Sequence, residues 1–357
     1  MNRGPVLRRA RADLWRLALV IPLQGPAGLF GASCEAVGEL LAHDLNAAGG
    51  VLGREVVLEI VDGGAAPSRV AAEVSRLADA GHIDAVSGWH ISSVRNALAP
   101  VLAGRIPYAY SSLYEGGETR PGVYCCGETP RQQIAPALRW LRDNTGTRKW
   151  FVVGDDYVWP QQSLSAVRQF AAELGLDLVG GAFVKLGGGN MRTVVEQVAR
   201  SGCESVLMLL VGQDAVQFNR AFARRGLQDS ILRFSPLMDE NMLLASGADA
   251  TRGLVVASGY FRSLTDGNAM ELVRGYTGLH GPVAPAIGAA AESCYEGGQL
   301  LAAMARHAGR LDDLNPVPHG IAYEGPRGTI EFQGIEAKQR IHLAVAYGFD
   351  FDIVTCL

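Results

Sequence analysis

The fold is decided by the stretch LALVIPLQGPAGLFGASCEAVGELLAHDLNAAGGVLGREVVLEIVD, residues Leu17 to Asp62. It begins with LALVIPL, a short apolar run suited to a buried strand. Apolar residues at helical spacing follow from Ala32 to Ala48 and stop at Gly49-Gly50, and EVVLEIVD is a second strand. The order strand, helix, strand predicts a parallel sheet that is covered by helices.

The same alternation continues along most of the chain. It runs to a strand ending at Tyr110, starts again with a helix from Pro130, and continues to the strand GLVVAS that ends at Ser258. Beyond that point Ala289–Ala308 predicts one long helix, and IAYEGPRGTIEF with IHLAVAYGFDFDIV predicts antiparallel strands. We therefore expect an α/β fold with two doubly wound parallel-sheet lobes.

The expected division of the chain follows from this order of elements. Residues 1–13 form a short basic arm. The first lobe takes residues 14–127 plus 260–324, and the second lobe takes residues 128–259 plus 325–357. Because the chain passes between the lobes more than once, these crossings form a hinge that connects them.

Composition excludes several classes of function. The 357 residues carry a formal net charge of −4, and no long run of like charges occurs beyond the N-terminal arm, so we expect no direct nucleic-acid partner. No apolar run of about 18 residues is present, which argues against membrane insertion. The six cysteines lack the paired spacing of a zinc site or of a disulfide scaffold and indicate a reducing compartment.

The N-terminus imitates a secretory signal. Arg3, Arg8, Arg9 and Arg11 come before LALVIPL, as a charged region precedes the apolar region of a signal peptide. However, LALVIPL is short and fits a first strand, and no small-residue cleavage site lies where cutting would spare that strand. The sequence therefore predicts a cytoplasmic protein, with an exported protein as the alternative if the true N-terminus carries a signal.

Open parallel sheets bind ligands beyond the carboxyl ends of their strands, so the corners after each strand are the informative positions. In SGWHISS, the hydroxyls of Ser92 and Ser93 and the backbone N–H groups at a helix start can bind a ligand oxygen, although plain helix capping is the alternative. Tyr110 and Ser112 repeat this chemistry at the next corner. His90 is a weaker candidate.

The second lobe offers further candidates. Tyr157 and Trp159 carry aromatic rings with one polar edge, which suit a small amphiphile, or they fill the interface between lobes. Asp214, Asp239 and Glu240 can accept from an ammonium or amide N–H, or serve as partners of a helix dipole. The glycine-rich GGGN lacks the lysine of a phosphate loop and fits a surface turn.

No motif for chemistry is present. The sequence has no G-x-S-x-G, no H-E-x-x-H, no nucleophile paired with a base, and no metal-ligand spacing among its seven histidines. We therefore expect a protein that is not an enzyme and that needs no cofactor and no metal.

Taken together, these corners resemble those of type I periplasmic binding proteins of the leucine/isoleucine/valine class. The opening LALVIPLQGPAGLFG and the segment LNAAGGVLGREVVLEIVDGGAAP carry this resemblance, which covers the chain from about residue 15 to the end. The segments YEGGE, GDDYVWPQQS, LLVGQDA, YFRSLTD and YEGPRGTIEF resemble a narrower group. That group contains the amide-sensing negative regulator of aliphatic amidase expression and the urea or short-amide binding components of ABC importers.

The resemblance implies two lobes, joined by three crossings, that close on a small polar ligand. It implies that Ser92 bonds the ligand carbonyl and that Tyr110, Ser112 and Tyr157 complete the site. The sequence departs from the amide sensor at several positions. His90 and Trp159 each replace a tyrosine, Ser112 replaces threonine, and Leu113 replaces proline. Gln213-Asp214-Ala215 replaces a Gly-Thr-Gly-Thr-like turn. Leu237 falls near the acidic residue of amino-acid binders, a role that Asp239 can take.

These observations predict a binding protein for an amide, a urea or a related small polar molecule, acting as a cytoplasmic sensor that a regulatory protein partner recognises. The alternative is the binding component of an ABC importer for urea, short amides or branched-chain amino acids, with the transporter permease as partner. The predicted ligand contacts are Ser92, His90, Tyr110, Ser112, Tyr157, Trp159, Gln213 and Asp239. The sequence leaves the oligomeric state open, a homo-oligomer included.

Overall fold

A computed structural model describes residues 13–311 and 321–357 of the chain. Most of the predicted basic arm, residues 1–12, lies outside the described residues.

The first half of the chain forms β1 (Leu14–Ile21), a short 3-10 helix (Gly28–Phe30), α1 (Gly31–Ala47), β2 (Glu55–Asp62), α2 (Pro67–Asp79), β3 (Ala85–Gly88), α3 (Ser92–Leu102), β4 (Tyr108–Tyr110) and β5 (Val123–Cys125). There follow α4 (Pro130–Thr145), β6 (Lys149–Asp155), α5 (Val158–Leu174), β7 (Asp177–Val184), α6 (Met191–Arg200), β8 (Ser205–Leu209), α7 (Gln213–Arg224), β9 (Leu232–Ser235), α8 (Glu240–Ser246), α9 (Ala248–Thr251) and β10 (Leu254–Ser258). The chain ends with α10 (Gly267–His280), α11 (Ala289–Ala308), β11 (Ala322–Gly325), β12 (Gly328–Gln333), β13 (Glu336–Lys338), β14 (His342–Tyr347) and β15 (Asp350–Cys356).

Two sheets form the centres of two lobes. The first sheet has the strand order β11-β12-β13-β5-β4-β3-β1-β2, and the second has the order β15-β14-β10-β9-β8-β6-β7. Within each sheet the strands that alternate with helices pair in parallel, and antiparallel strands from the end of the chain extend one edge. This arrangement confirms the predicted α/β fold with two lobes.

The chain crosses between the lobes three times. The crossings lie between β5 and α4, between β10 and α10, and between β13 and β14. The last crossing therefore falls after Lys338, whereas the expected boundary stood at residues 324 and 325. That boundary would cut the hairpin in which Tyr323 pairs with Ile330, and an antiparallel hairpin with a tight turn cannot be shared between two lobes.

The two lobes touch on both sides of their interface. On the hinge side, the Asn241 side chain of α8 donates to the Ser33 hydroxyl at 3.3 Å and to the Ala286 carbonyl at 2.9 Å, and both acceptors belong to the first lobe. On the open side, the Gln213 backbone N–H donates to the Pro26 carbonyl at 2.8 Å. The structure is thus a closed arrangement of the lobes.

Candidate functional site

The corner after β3 sends alternate side chains to opposite sides. Trp89 and Ile91 border the space between the lobes, and the Trp89 ring packs on Phe30 with 4.7 Å between ring centroids. His90, between them, points into the first lobe and is fully buried. Because extended backbone alternates its side chains, one corner cannot offer all three residues to the same cleft.

The His90 ring has protein partners at both nitrogens. Nδ1 lies 3.0 Å from the Val20 carbonyl, and Nε2 lies 2.6 Å from the Tyr108 hydroxyl. A carbonyl only accepts, so Nδ1 carries the proton and Tyr108 donates to Nε2. Burial lowers the pKa of His90 to about 4, which keeps the ring neutral. In this structure His90 braces the core of the first lobe, and its contact with a ligand stays a prediction.

The predicted hydroxyl residues lie together around the His90 backbone. Tyr110 donates its hydroxyl to the His90 carbonyl at 2.9 Å, and the Ser112 hydroxyl donates to the same carbonyl at 2.8 Å. Ser112 also accepts from the His90 backbone N–H at 2.9 Å, and the Ser92 hydroxyl lies 3.4 Å from that of Tyr110. These bonds hold the corner in shape, and the contact of Ser92, Tyr110 and Ser112 with a ligand stays a prediction.

Tyr157 approaches the hydroxyls of Ser92, Tyr110 and Ser112 from the second lobe. Its pKa is raised well above the usual value, first by burial and then by the charges of Tyr110, Asp155 and Glu115. Two of these three residues belong to the first lobe, so Tyr157 faces it across the interface. Trp159 is buried beside Tyr157, with 6.4 Å between ring centroids. The structure thus brings Tyr157 and Trp159 toward the predicted first-lobe residues.

Gln213 takes part in closure through its backbone, whereas its side chain is exposed. The preceding Gly212 has φ +51° and lies so close to Pro26 that an added Cβ would stand 2.2 Å from the Pro26 carbonyl oxygen. Asp214 accepts from the Gly187 N–H at 2.5 Å and thereby ties a second loop to the same place. The predicted ligand contact at Gln213 is therefore a closure contact in this structure.

Asp239 lies apart from the hydroxyls of Ser92, Tyr110 and Ser112, in an enclosed cavity near the hinge. We call this space the hinge cavity. It measures ≈ 20 Å³, about the room that one water molecule needs. Both lobes and two of the crossings contribute to its wall, which consists of Trp89, Ser111, Leu113, Glu128, Gln133, Pro236, Leu237, Met238, Asp239, Ser258, Tyr260, Ala289, Ala290, Glu292, Ser293 and Arg327.

Three oxygens at the hinge cavity are buried without a hydrogen-bond partner: Asp239 Oδ2, Glu292 Oε1 and the Tyr260 hydroxyl. The other oxygen of Asp239 accepts from the Met242 N–H at 3.1 Å and caps α8. Burial raises the pKa of Asp239 to about 6. A Cβ at Gly288 would lie 2.5 Å from Asp239 Oδ2, so the carboxylate reaches the start of α11 in the other lobe because residue 288 is glycine.

Beside this cavity, Arg327 joins three carboxylates. Its guanidinium lies 3.2 Å from Glu128 and 3.5 Å from Glu292, and it forms a close pair with Glu296. Glu128 also accepts from the Gly259 N–H at 2.8 Å, which links the first two crossings. Burial, and then Glu296, raise the pKa of Glu292 well above its usual value, so Glu292 holds a proton at neutral pH. The free Asp239 carboxylate oxygen therefore accepts, the Tyr260 hydroxyl and the protonated Glu292 carboxyl can donate or accept, and the guanidinium is occupied.

Sequence reasoning missed Glu128, Tyr260, Glu292, Glu296 and Arg327. One signal was present, because Glu292 and Glu296 stand one turn apart in the otherwise apolar helix AAAESCYEGGQLLAAMA. Two carboxylates on one side of a buried helix need a cation or protons. The partner, Arg327, is distant in sequence and is brought there only by the β11–β12 hairpin.

A second, more apolar cavity lies at the open side of the interface. It measures ≈ 210 Å³ and shares no wall residue with the hinge cavity. Its wall consists of Pro22, Gln24, Pro26, Ala27, Gly63, Gly64, Ala65, Ala66, Pro67, Ile91, Leu186 and Val211. Space between the lobes is therefore divided into a polar part near the hinge and an apolar part near the mouth.

Residues 13–311 and 321–357 contain neither a metal-ligand cluster nor a membrane-spanning helix. No cluster of three or more His, Cys, Asp or Glu side chains is placed to hold a metal ion. No helix among these residues combines the length and the apolar character needed to cross a bilayer.

Two lobes, three crossings and an enclosed polar cavity between the lobes define a protein class that binds a small ligand by closure. A family model described as periplasmic binding protein matches residues 15–344. The match spans most of the chain, and this protein therefore belongs to the periplasmic binding protein family.

Solved structures share the fold over nearly the whole chain. A solute-binding protein of an ABC transporter from R. palustris, solved with benzoate, has a TM-score of 0.84 and 18% identity, with 96% of each chain covered. The leucine-binding protein LivK of Thermotoga maritima has a TM-score of 0.83 and 17% identity, with 96% of this chain and 99% of that one covered. LivJ of Streptococcus pneumoniae, solved with isoleucine, has a TM-score of 0.84 and 13% identity at the same coverage. At these identities the likeness concerns the fold alone.

Proposed function

We propose that the protein is the substrate-binding component of an ABC importer and that its substrate is a small molecule with an ammonium or other N–H donor group, such as an amino acid. The family supports the transport role, and so do the similar structures, which are solute-binding and branched-chain amino-acid-binding proteins of transporters. In this role the protein binds and releases its substrate without chemistry, and its partner is a transporter permease.

The observation that carries the choice of substrate is the unpartnered carboxylate oxygen of Asp239 at the hinge cavity. Asp239 Oδ2, Glu292 Oε1 and the Tyr260 hydroxyl are buried and face one space. A buried acceptor without a partner costs free energy, on the order of 1–3 kcal/mol, and a donor from a ligand removes that cost. A ligand carboxylate, such as that of benzoate, would instead meet Asp239 with like charge.

Closure supplies the mechanism. A ligand that contacts Asp239 from the second lobe and Glu292 from the first lobe binds the closed state more tightly than either separated lobe, and this difference shifts the population toward closure. The hinge cavity, at ≈ 20 Å³, is too small for a whole amino acid. Binding therefore requires the lobes to open before they close again on the ligand.

The sequence also predicts an amide or urea ligand and a cytoplasmic sensor role with a regulatory partner. An amide NH₂ group satisfies the same free acceptors, so it belongs to the tested ligand class, but it gains less from the Asp239 charge than an ammonium does. No separate observation favours the sensor role, and the importer role is the one we propose.

A calorimetric panel tests the proposal. We expect L-amino acids with apolar side chains to bind with micromolar or better affinity, urea and acetamide to bind more weakly, and benzoate not to bind. Alkylamines that lack the carboxylate serve as a control for the donor group alone. Binding of benzoate in preference to every amine and amide would overturn the donor-group assignment, and absence of any small ligand would overturn the transport role.

The closure contact at Gly212 gives a second prediction. Gly212→Ala places a methyl group 2.2 Å from the Pro26 carbonyl oxygen, so we expect the lobes to stop short of closure and the ligand to bind at least about tenfold more weakly. Small-angle scattering with ligand measures the remaining opening.

The matched control for this variant is Gly202→Ala. Gly202 also has a positive φ, +70°, but an added Cβ there meets nothing within 4 Å. It therefore brings the backbone strain without the clash. Equal loss of affinity in both variants would show that strain, and not closure, is responsible.

A further inference from the structure

A surface groove on the second lobe carries an unusual set of charges. It lies between the loop before α6 and the side of α7, and it measures ≈ 570 Å³. We call it the arginine groove. Its wall consists of Gly188, Gly189, Asn190, Met191, Arg192, Gln217, Arg220, Ala221 and Arg224, and thus contains three arginines and no carboxylate.

The arginines of the groove differ from others nearby in their partners. Arg192 and Arg224 are exposed, and within the described part of the chain neither forms a hydrogen bond or an ion pair. Nearby on the same lobe, Arg225 pairs with Glu196 at 2.9 Å and Arg252 pairs with Asp229 at 2.7 Å. Arg220, in contrast, donates to the Ser246 carbonyl at 3.3 Å and to the Ala245 carbonyl, so its guanidinium already has protein partners at the end of α8.

The groove suits an extended acidic segment better than a single ion. Exposed arginines are solvated and screened by salt, so each one alone binds an anion weakly. Several carboxylates on one peptide can make these weak contacts together, because the peptide loses its translational and rotational freedom only once. Arginine also binds a carboxylate with two parallel hydrogen bonds. Arg220 and Arg224 stand one turn apart on α7, and Arg192 lies on α6 across the groove, so the charges are spread along it.

The groove also begins next to the contact between the lobes. Gly187 precedes its first residue, and an added Cβ at Gly187 would lie 2.6 Å from the Pro26 side chain of the first lobe. A partner in the groove therefore sits beside the point at which the lobes meet.

We propose that the arginine groove is a docking surface for an acidic segment of a partner protein. The net charge of the whole chain is −4, so a polyanion is not attracted to the molecule in general and must find a local basic site. This inference concerns a surface outside the cleft and does not depend on the identity of the cleft ligand.

Fluorescence anisotropy with a fluorescein-labelled hexaglutamate peptide at low salt tests the proposal. We expect the full-length protein to bind the peptide and Arg192→Gln/Arg224→Gln to bind it at least about tenfold more weakly. The control, Arg168→Gln/Arg274→Gln, removes the same charge from exposed positions elsewhere and should stay within about twofold of the parent. Ligand affinity in the cleft should not change in either variant, which separates this test from that of the proposed function.

Three outcomes would overturn the docking surface. In the first, the parent protein binds no peptide. In the second, the groove and control variants lose affinity equally, which indicates general charge attraction. In the third, inorganic phosphate at equal charge concentration displaces the peptide fully, which assigns the groove to a small ion. Unfolding monitored by circular dichroism checks that both double variants remain folded.

Discussion

Asp239→Asn is expected to weaken binding of an ammonium ligand about 100-fold while leaving the protein folded. Hydrogen bonds to a charged group contribute about 1.5–3 kcal/mol, and the neutral amide keeps the shape of the side chain but removes the charge. Asparagine caps a helix as well as aspartate does, so the bond to the Met242 N–H should persist and α8 should stay in place. Isothermal titration calorimetry and thermal unfolding measure the two effects.

The pH dependence of the same binding step provides an independent readout. Burial raises the pKa of Asp239 to about 6, so the carboxylate is partly protonated below neutral pH in the free protein. A cationic ligand favours the ionised form and releases this proton, so its affinity should rise between pH 5 and pH 7 and level off above. Titrations in two buffers with different ionisation enthalpies detect the released proton. In Asp239→Asn this rise should disappear, which separates Asp239 from the other buried acid at the cavity, Glu292.

Asp266→Asn is the matched control, because Asp266 is also the residue before a helix, α10, but it is exposed. It should bind the ligand as the parent does. Unchanged affinity in Asp239→Asn, or a flat pH profile in the parent, would contradict the role of Asp239.

How far the sequence predicts the fold depends on how local the signal is. The helix of the opening stretch is predicted within one residue and its first strand within three, because periodicity and the glycines after α1 are local. The helix Gly267–His280 was not predicted, since only Ala269, Leu272 and Tyr276 of it are buried and three glycines interrupt its pattern. The boundary at residue 324 was wrong because the pairing of β11 with β12 is a contact that no local pattern at the turn reveals.

The candidate site was predicted less well, for physical reasons that differ between residues. His90 was chosen for its chemistry, whereas its direction is set by alternation along the backbone after Gly88, which turns Trp89 and Ile91 to the cleft instead. Asp239 was predicted as an acceptor for a ligand donor, and its free buried oxygen supports that prediction. Arg327 could not be assigned to Glu292 and Glu296 because their meeting requires the return of the chain from the last hairpin.

Arg327→Met is expected to cost about 3–5 kcal/mol of the free energy of unfolding at pH 7. The guanidinium is almost fully buried and stands between Glu128, Glu292 and Glu296, so its removal leaves like charges without a cation in a place that water does not reach. Methionine fills a similar volume, which limits the contribution of an empty cavity. Urea denaturation measures the loss, and the link from Glu128 to the Gly259 N–H predicts that the crossings loosen together.

The sign of the pH effect distinguishes this electrostatic cause from a packing defect. Without Arg327 the buried carboxylates have no cation, so taking up protons relieves their repulsion in the folded state more than in the unfolded state, where they are solvated. The stability of Arg327→Met should therefore fall more steeply than that of the parent as the pH rises from 5 to 8, and part of the loss should be recovered at pH 5. Adding Glu296→Gln should restore part of the stability at pH 7, because it removes one of the unpaired charges. The control variant is Arg274→Met, which removes an exposed arginine paired with Glu271 and sets the scale for a surface arginine. A loss of unfolding free energy below about 1 kcal/mol in Arg327→Met, or a loss independent of pH, would mean that the cluster does not hold the crossings together by charge.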